Sequence, residues 1–158
     1  MKVAIAFVVL YAVFQSLVWF LIYRNALGPL LTTTAHIAGA LFNITGVPAK
    51  VLDNEILLTS RTLRIDPDCT GVSLMALYAA LVLAYPFTVR RRVIGLLAGL
   101  PALLVANMVR LDFVAQASQR LDERGFAFVH DYLFQIVMVG VVIGLWAVYL
   151  VSARRNAT

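Results

Sequence analysis

The stretch from Val3 to Tyr23, VAIAFVVLYAVFQSLVWFLIY, contains no charged residue. A transmembrane helix needs roughly 17 to 25 mostly apolar residues to cross the hydrocarbon core of a bilayer, so this stretch predicts a membrane-spanning helix. The run is longer than the core of a signal peptide, and no convincing small-residue cleavage site follows it, so we expect an uncleaved first helix. Three later stretches have the same character and predict further spans: Val72–Thr88, Val93–Val109 and Tyr132–Val151.

The composition of the whole chain supports a bilayer environment, with membrane lipid as the surrounding partner. Of the 158 residues, 62% are hydrophobic and only 13% are charged, which is too apolar for a soluble domain of this size. The formal net charge is +5, but the basic residues lie at the ends of apolar runs and form no stripe interleaved with aromatic residues. No nucleic-acid partner is therefore predicted.

The stretch Leu30–Val47 is ambiguous, because it has no formal charge yet contains His36 and Asn43, which are costly in lipid. If this stretch stays on one side of the membrane, the clusters Arg90–Arg92 and Arg154–Arg155 both face the cytoplasm. If it spans, both clusters move outside, against the positive-inside rule. We therefore predict an interfacial or re-entrant helix on the outer side, with the N- and C-termini in the cytoplasm.

This orientation separates the charges cleanly. All eight acidic residues and seven of the thirteen basic ones fall in two outer segments, Arg24–Gly71 and Arg110–Asp131, so we expect an extracytoplasmic active site. In the first segment, Val51–Ile65 has β-branched residues and leucines interrupted by turn-forming residues, which predicts a short β-hairpin or extended segment. The predicted fold is an all-α polytopic protein of the cell (inner) membrane with four transmembrane helices, and residues 1–158 form a single domain.

The single cysteine, Cys69, excludes an intramolecular disulfide, and the chain has no CxxC or Cys/His spacing that would predict a metal site. The thiol lies just before the predicted span Val72–Thr88, where the positive end of a helix dipole favours a thiolate. The negative charge of the neighbouring Asp68 opposes the thiolate unless a cation offsets it. The alternative role for this residue is that of a small buried hydrophobe.

Arg110 closes the predicted span Val93–Val109, three residues after Asn107, so the two side chains share one helix face. The helix dipole and snorkelling alone explain an arginine at this place. The alternative is a functional role, in which a fixed guanidinium offsets the negative charge of Asp68, polarises a carbonyl or binds a carboxylate of the substrate.

His130 precedes the last predicted span, and the adjacent Asp131 is a candidate N-cap. One role for His130 is that of a polar residue in an interfacial aromatic belt. The other is that of a base for a thiol nucleophile, because three loops separated by whole spans deliver Cys69, Arg110 and His130 to one rim.

At these residues the sequence resembles the exosortase/archaeosortase family of membrane-embedded sorting transpeptidases. The resemblance covers roughly Leu41 to Val141 and indicates a compact member. It is carried, in the family's order, by three motifs: Asp68-Cys69-Thr70-Gly71, Asn107-Met108-Val109-Arg110 and Val129-His130-Asp131.

The resemblance implies a role for each matched residue. Cys69 is the nucleophile, Arg110 orients the scissile carbonyl or stabilises its oxyanion, and His130 is the general acid and base. Four neighbours have supporting roles: Asn107, Thr70, Gly71 and Asp131. No cofactor is implied.

The implied substrate is a secreted protein with a C-terminal tail made of a short motif, one transmembrane helix and a basic cluster. Cleavage at the outer face gives a thioester, which an unidentified acceptor nucleophile resolves.

Two alternatives remain open at this point. One is a non-catalytic membrane assembly or scaffold subunit. The other is a transporter or channel component, which requires ionisable groups at mid-membrane depth, and the predicted spans contain none.

Overall fold

A computed structural model gives the structure of residues 1–155, without the side chains of Asp131, Arg154 and Arg155. The chain is mostly helical and includes one small sheet. Its main elements, in chain order, are α1 (Lys2–Tyr23), α2 (Gly28–Ile44), β1 (Ala49–Leu52), β2 (Glu55–Leu58), β3 (Thr62–Arg64), α3 (Val72–Ala84), α4 (Val89–Arg120), α5 (Glu123–Phe128) and α6 (Phe134–Arg155). A 3₁₀ turn at Pro67–Thr70 precedes α3, and a π-helical turn at Val129–Leu133 joins α5 to α6.

Three helices in the described part of the chain are long and apolar enough to cross a membrane: Lys2–Tyr23, Val89–Arg120 and Phe134–Ala153. The chain is therefore a multi-pass membrane protein, but the predicted number of four transmembrane helices is not confirmed. The difference lies at Val72–Thr88, which is helical only as far as Ala84. Tyr85 is extended because Pro86 follows it, and a residue before proline avoids the helical conformation.

The short helix α3 lies at the centre of the bundle. Its 13 residues rise about 20 Å, less than the roughly 30 Å of a bilayer core. It packs against α1, α4 and α6, which explains why its sequence is apolar on every side. The bundle core is formed by Tyr78, Val82, Leu103 and Val142.

Helix α4 extends well beyond the predicted span Val93–Val109. Its 32 residues rise about 48 Å, so it is longer than a bilayer core is thick. The additional turns pack against α2, and together with the sheet they form a second hydrophobic core that includes Phe42, Ile56 and Leu111. We call α2, the sheet and residues 110–120 of α4 the cap.

The predicted hairpin segment Val51–Ile65 forms most of a three-stranded antiparallel sheet in the order β1-β2-β3. Leu52 pairs with Glu55 across the first turn, and Ile56 pairs with Leu63 between β2 and β3. Asp53 in the first turn has a positive φ of 56°, which aspartate tolerates better than most residues. Strand β3 leads directly into the turn that carries Cys69.

Two polar residues of the stretch Leu30–Val47, Asn43 and Thr45, make side-chain hydrogen bonds to other parts of the cap. The Asn43 amide pairs with both backbone groups of Ala49 at 3.0 Å, as a neighbouring strand would. Thr45 donates a 2.6 Å hydrogen bond to Asp112 on α4. These contacts are consistent with a helix outside the spanning bundle, and the interfacial position of α2 stays a prediction.

Candidate active site

Cys69 lies in the tight 3₁₀ turn between β3 and α3. Its backbone N–H donates to the carbonyl of Asp66 at 2.9 Å, and the Thr70 hydroxyl donates to the carbonyl of Pro67 at 2.6 Å. Gly71 then adopts a left-handed φ of 76° and starts α3. The turn holds Cys69 only 7% exposed, packed beside the core of the cap.

Asn107 fixes this turn to the middle of α4. The side chain is completely buried, and its Nδ2 donates a 2.7 Å hydrogen bond to the carbonyl oxygen of Cys69. A Cβ atom at Gly71 would lie only 3.2 Å from Cγ of Asn107, so the two residues pack closely. This contact between Asn107 and the cysteine loop was not predicted from the sequence, because nothing local in a helix indicates a partner 38 positions away.

Arg110 shares a helix face with Asn107, as the spacing predicts, and its Nη1 donates to Oδ1 of Asn107 at 3.4 Å. The Nε of Arg110 is buried and has no hydrogen-bond partner among the described residues. Among the described side chains no ion pair joins Arg110 to Asp68, which is exposed. The expectation that this guanidinium offsets Asp68 by direct pairing is therefore not met in this structure.

His130 lies within the π-helical turn that leads into α6. Such turns are rare and occur often at functional sites. The His130 ring stacks on the ring of Phe126, with centroids 5.6 Å apart. On the same phenyl ring lies the guanidinium of Arg61, 4.1 Å from the centroid, so the β2–β3 turn reaches the segment that carries the histidine.

A cavity of about 500 Å³ brings the three predicted catalytic residues together. Cys69, Arg110 and His130 all line it, and so do the carboxylates Asp66 and Asp68. The spatial convergence expected from the sequence therefore exists as a cavity.

Three of the four predicted supporting residues, Thr70, Gly71 and Asn107, are not among the residues that line this cavity. The side chain of the fourth, Asp131, is outside the described structure. Asp112 on α4 accepts hydrogen bonds at both carboxylate oxygens, from Thr45 at 2.6 Å and from Gln116 at 2.8 Å. No group of three or more potential metal ligands occurs among the described side chains.

The rest of the lining comes from the membrane helices and was missed by sequence reasoning. Helix α1 contributes Tyr11 and Gln15, and the first turn of α6 contributes Gln135. Helix α3 contributes Ser73, Leu74 and Leu77, and α6 adds Met138 and Val139. One signal was available: a glutamine inside an apolar span is costly in lipid and therefore points to a polar interior or a function.

Fold and site define a class: a multi-pass membrane protein with a cysteine-bearing cavity between its helices and a small cap. Residues 2–151 match the transmembrane exosortase (EpsH) family, and the chain belongs to this family. The match extends beyond the region of the three motifs and includes α1 and α6. No curated protein and no solved structure gave a significant match. Membership makes the chain one of the membrane sorting transpeptidases, which act on secreted proteins with C-terminal sorting signals.

Proposed function

We propose that this chain is a cysteine transpeptidase that removes the C-terminal tail of secreted proteins and transfers them to an acceptor through a thioester. The observation that carries the proposal is the shared cavity of Cys69, Arg110 and His130. Each comes from a different element, and a thiol, a base and a fixed cation are the groups that acyl transfer by a cysteine requires.

The chemistry follows from the nature of these groups. His130 takes the proton of the Cys69 thiol, and the sulfur attacks the carbonyl carbon of the scissile peptide bond. His130 then gives the proton to the leaving amine, the C–N bond breaks, and the tail departs as a free amine. The remaining thioester is attacked by an amine acceptor or by water, which releases the product and restores the thiol.

The negative charge on the carbonyl oxygen needs donors during both steps. Arg110 is suited to this because it lines the cavity and its Nε has no hydrogen-bond partner among the described residues. One good donor to an oxyanion contributes about 3 kcal/mol to transition-state stabilisation. Backbone N–H groups of Thr70 or Gly71 are the candidates for a second donor.

The distribution of charge supports an extracytoplasmic site. All eight acidic residues lie in the segments Arg24–Gly71 and Arg110–Asp131, and the Arg90–Arg92 cluster lies at the opposite end of α4 from residues 110–120. With that cluster in the cytoplasm, the cavity with Cys69 opens toward the outer rim. A tailed substrate in the same membrane then presents its motif at this rim while its basic cluster stays inside.

The test is co-expression of the chain with a tailed reporter. The reporter carries the tail of a secreted protein from the same genome that ends in a motif, an apolar helix and a basic cluster. Cys69→Ala should abolish tail removal, and Arg110→Ala and His130→Ala should reduce it at least a hundredfold, the usual scale for lost acid–base or oxyanion groups.

Matched controls exist for two of the three residues. Arg120→Ala removes an exposed arginine from the far end of α4, and His36→Ala removes the other histidine of the chain, which is exposed on α2. Both controls should process the reporter normally. Tail removal that persists in Cys69→Ala would overturn the proposal, and normal sorting with all three variants would favour the scaffold alternative.

A further inference from the structure

Two membrane helices of the bundle are separated by a groove. Helix α1 packs along α3, and α6 packs along α3 and α4, but within residues 1–155 α1 and α6 do not pack along one another. The cavity takes lining from both, with α3 as its floor. It therefore runs from the cysteine turn down into the space between α1 and α6.

Polar side chains line this groove at membrane depth. Tyr11 and Gln15 are one turn apart on α1, and Gln135 faces the same cavity from α6. Gln15 lies eight residues before the end of α1 at Tyr23, about 12 Å along the helix. The lower part of the cavity is therefore within the span and not only at its rim.

One of these groups lacks a partner. The side-chain oxygen of Gln15 is buried and accepts no hydrogen bond from any described residue. Leaving a polar atom buried and unpaired is unfavourable, and more so in a membrane, where water does not replace the missing donor. Because Gln15 also lines the cavity, a ligand that brings a hydrogen-bond donor would satisfy this acceptor once the side chain turns toward it.

We propose that the groove between α1 and α6 binds the substrate next to its scissile bond, and that Gln15 accepts a hydrogen bond from a main-chain N–H of that segment. This inference rests on the proposed function and assigns the substrate of that function to the groove. A peptide bond must be extended to be cleaved, and an extended main chain in a bilayer has N–H and C=O groups that need protein partners. Lipid acyl chains have no hydrogen-bond donors, so they do not meet this requirement.

The remaining walls of the groove fit the same occupant. Leu74 and Leu77 on α3 and Met138 and Val139 on α6 form apolar surfaces beside the polar groups. Apolar walls accept the side chains of a membrane-embedded tail, and methionine adapts easily to different shapes. Polar atoms for the main chain and apolar surface for side chains are what a peptide at membrane depth requires.

The first experiment is photocrosslinking in the Cys69→Ala chain, where binding is measured without cleavage. A benzoylphenylalanine placed at Tyr11 should crosslink to the tailed reporter. The same group placed at Val13 is the control for depth in the membrane, because Val13 is two residues from Tyr11 and is 57% exposed. We expect at least fivefold more crosslinking from position 11 than from position 13.

The second experiment separates binding from chemistry in the active chain. Gln15→Leu keeps the size of the side chain and removes the acceptor, so KM for the tailed reporter should rise about tenfold, the usual effect of one lost hydrogen bond, with kcat within twofold. Ser16→Leu, an adjacent change at an exposed position, should leave both values unchanged.

The outcomes distinguish this inference from the proposed function. If wild type removes the tail but position 11 crosslinks no better than position 13, the groove proposal is overturned and the function stands. An unchanged KM in Gln15→Leu would also overturn the role of Gln15. Crosslinking from position 11 without cleavage by wild type would support the groove and reject the transpeptidase.

Discussion

The side chain of Asn107 donates a 2.7 Å hydrogen bond to the backbone carbonyl of Cys69, and so joins the middle of the longest helix to the turn that carries the thiol. Arg110 donates to the other end of the same amide. One buried residue thus contacts both the proposed nucleophile and the proposed oxyanion donor. The relative position of these two groups depends on Asn107.

Asn107→Ala should therefore reduce both stability and catalysis. The Cys69 carbonyl loses its donor, and an unpaired buried carbonyl costs about 1–3 kcal/mol. Asn43→Ala is the control, because it removes a similar pair of side-chain bonds to Ala49 within the cap. Thermal unfolding in detergent should show a loss for both variants, whereas cleavage per folded molecule should fall tenfold or more only for Asn107→Ala. Equal activity in the two variants would contradict the positioning role.

Gly71→Ala tests the close approach between this glycine and Asn107. The left-handed backbone costs an alanine about 1–2 kcal/mol, and the added Cβ would press on the Asn107 side chain at 3.2 Å. Gly46 has a φ of 90° with no atom within 4 Å of an added Cβ, so Gly46→Ala imposes a similar backbone penalty alone. We expect both variants to unfold at lower temperature and only Gly71→Ala to lose cleavage. Full activity of Gly71→Ala would show that the turn tolerates movement of Asn107.

The stack of Arg61, Phe126 and His130 predicts a positioning role for Arg61, whose described contacts are with the Phe126 ring and the Leu121 carbonyl and not with a residue that lines the cavity. Arg61→Gln removes the cation from the Phe126 ring and should lower kcat several-fold with little change in KM, because the histidine is less well oriented. Arg61→Lys keeps a cation and should restore part of the rate. Lys50→Gln, an equal loss of charge at an exposed position on β1, should have no effect. A change in KM alone would indicate substrate contact instead.

Orientation in the membrane is testable with new cysteines in a Cys69→Ser chain. Thr59→Cys places a thiol in the exposed β2–β3 turn of the cap, and Val89→Cys places one at the exposed start of α4. An impermeant maleimide should label the first in intact cells and the second only after permeabilisation. The reverse pattern would put the cap and the cavity in the cytoplasm. Using new positions avoids the native Cys69, whose burial slows any reagent.

Much of the architecture follows from local patterns. Uncharged apolar runs predict the three long membrane helices, because transfer of charge into lipid is costly wherever it occurs in the fold. The turn residues within Val51–Ile65 predict the hairpin. The three motifs around Cys69, Arg110 and His130 also indicate the family, which the match over residues 2–151 confirms.

Other features depend on contacts between distant residues. The extension of α4 to Arg120 and the third strand depend on what packs beside them. A helix of 13 residues is stable here because three other helices surround it. Apolarity alone does not distinguish such a central helix from one that spans.

The sequence by itself determined that this chain is a multi-pass membrane protein and that Cys69, Arg110 and His130 lie near the ends of its predicted apolar spans. Hydrophobicity and charge act residue by residue, so both can be read along the chain. Only the tertiary structure decided that the three residues line one cavity, that Asn107 holds the cysteine turn, and that Gln15 lines the same cavity with its side-chain oxygen unpaired among the described residues. These are relations between side chains on different helices, and helix packing sets them.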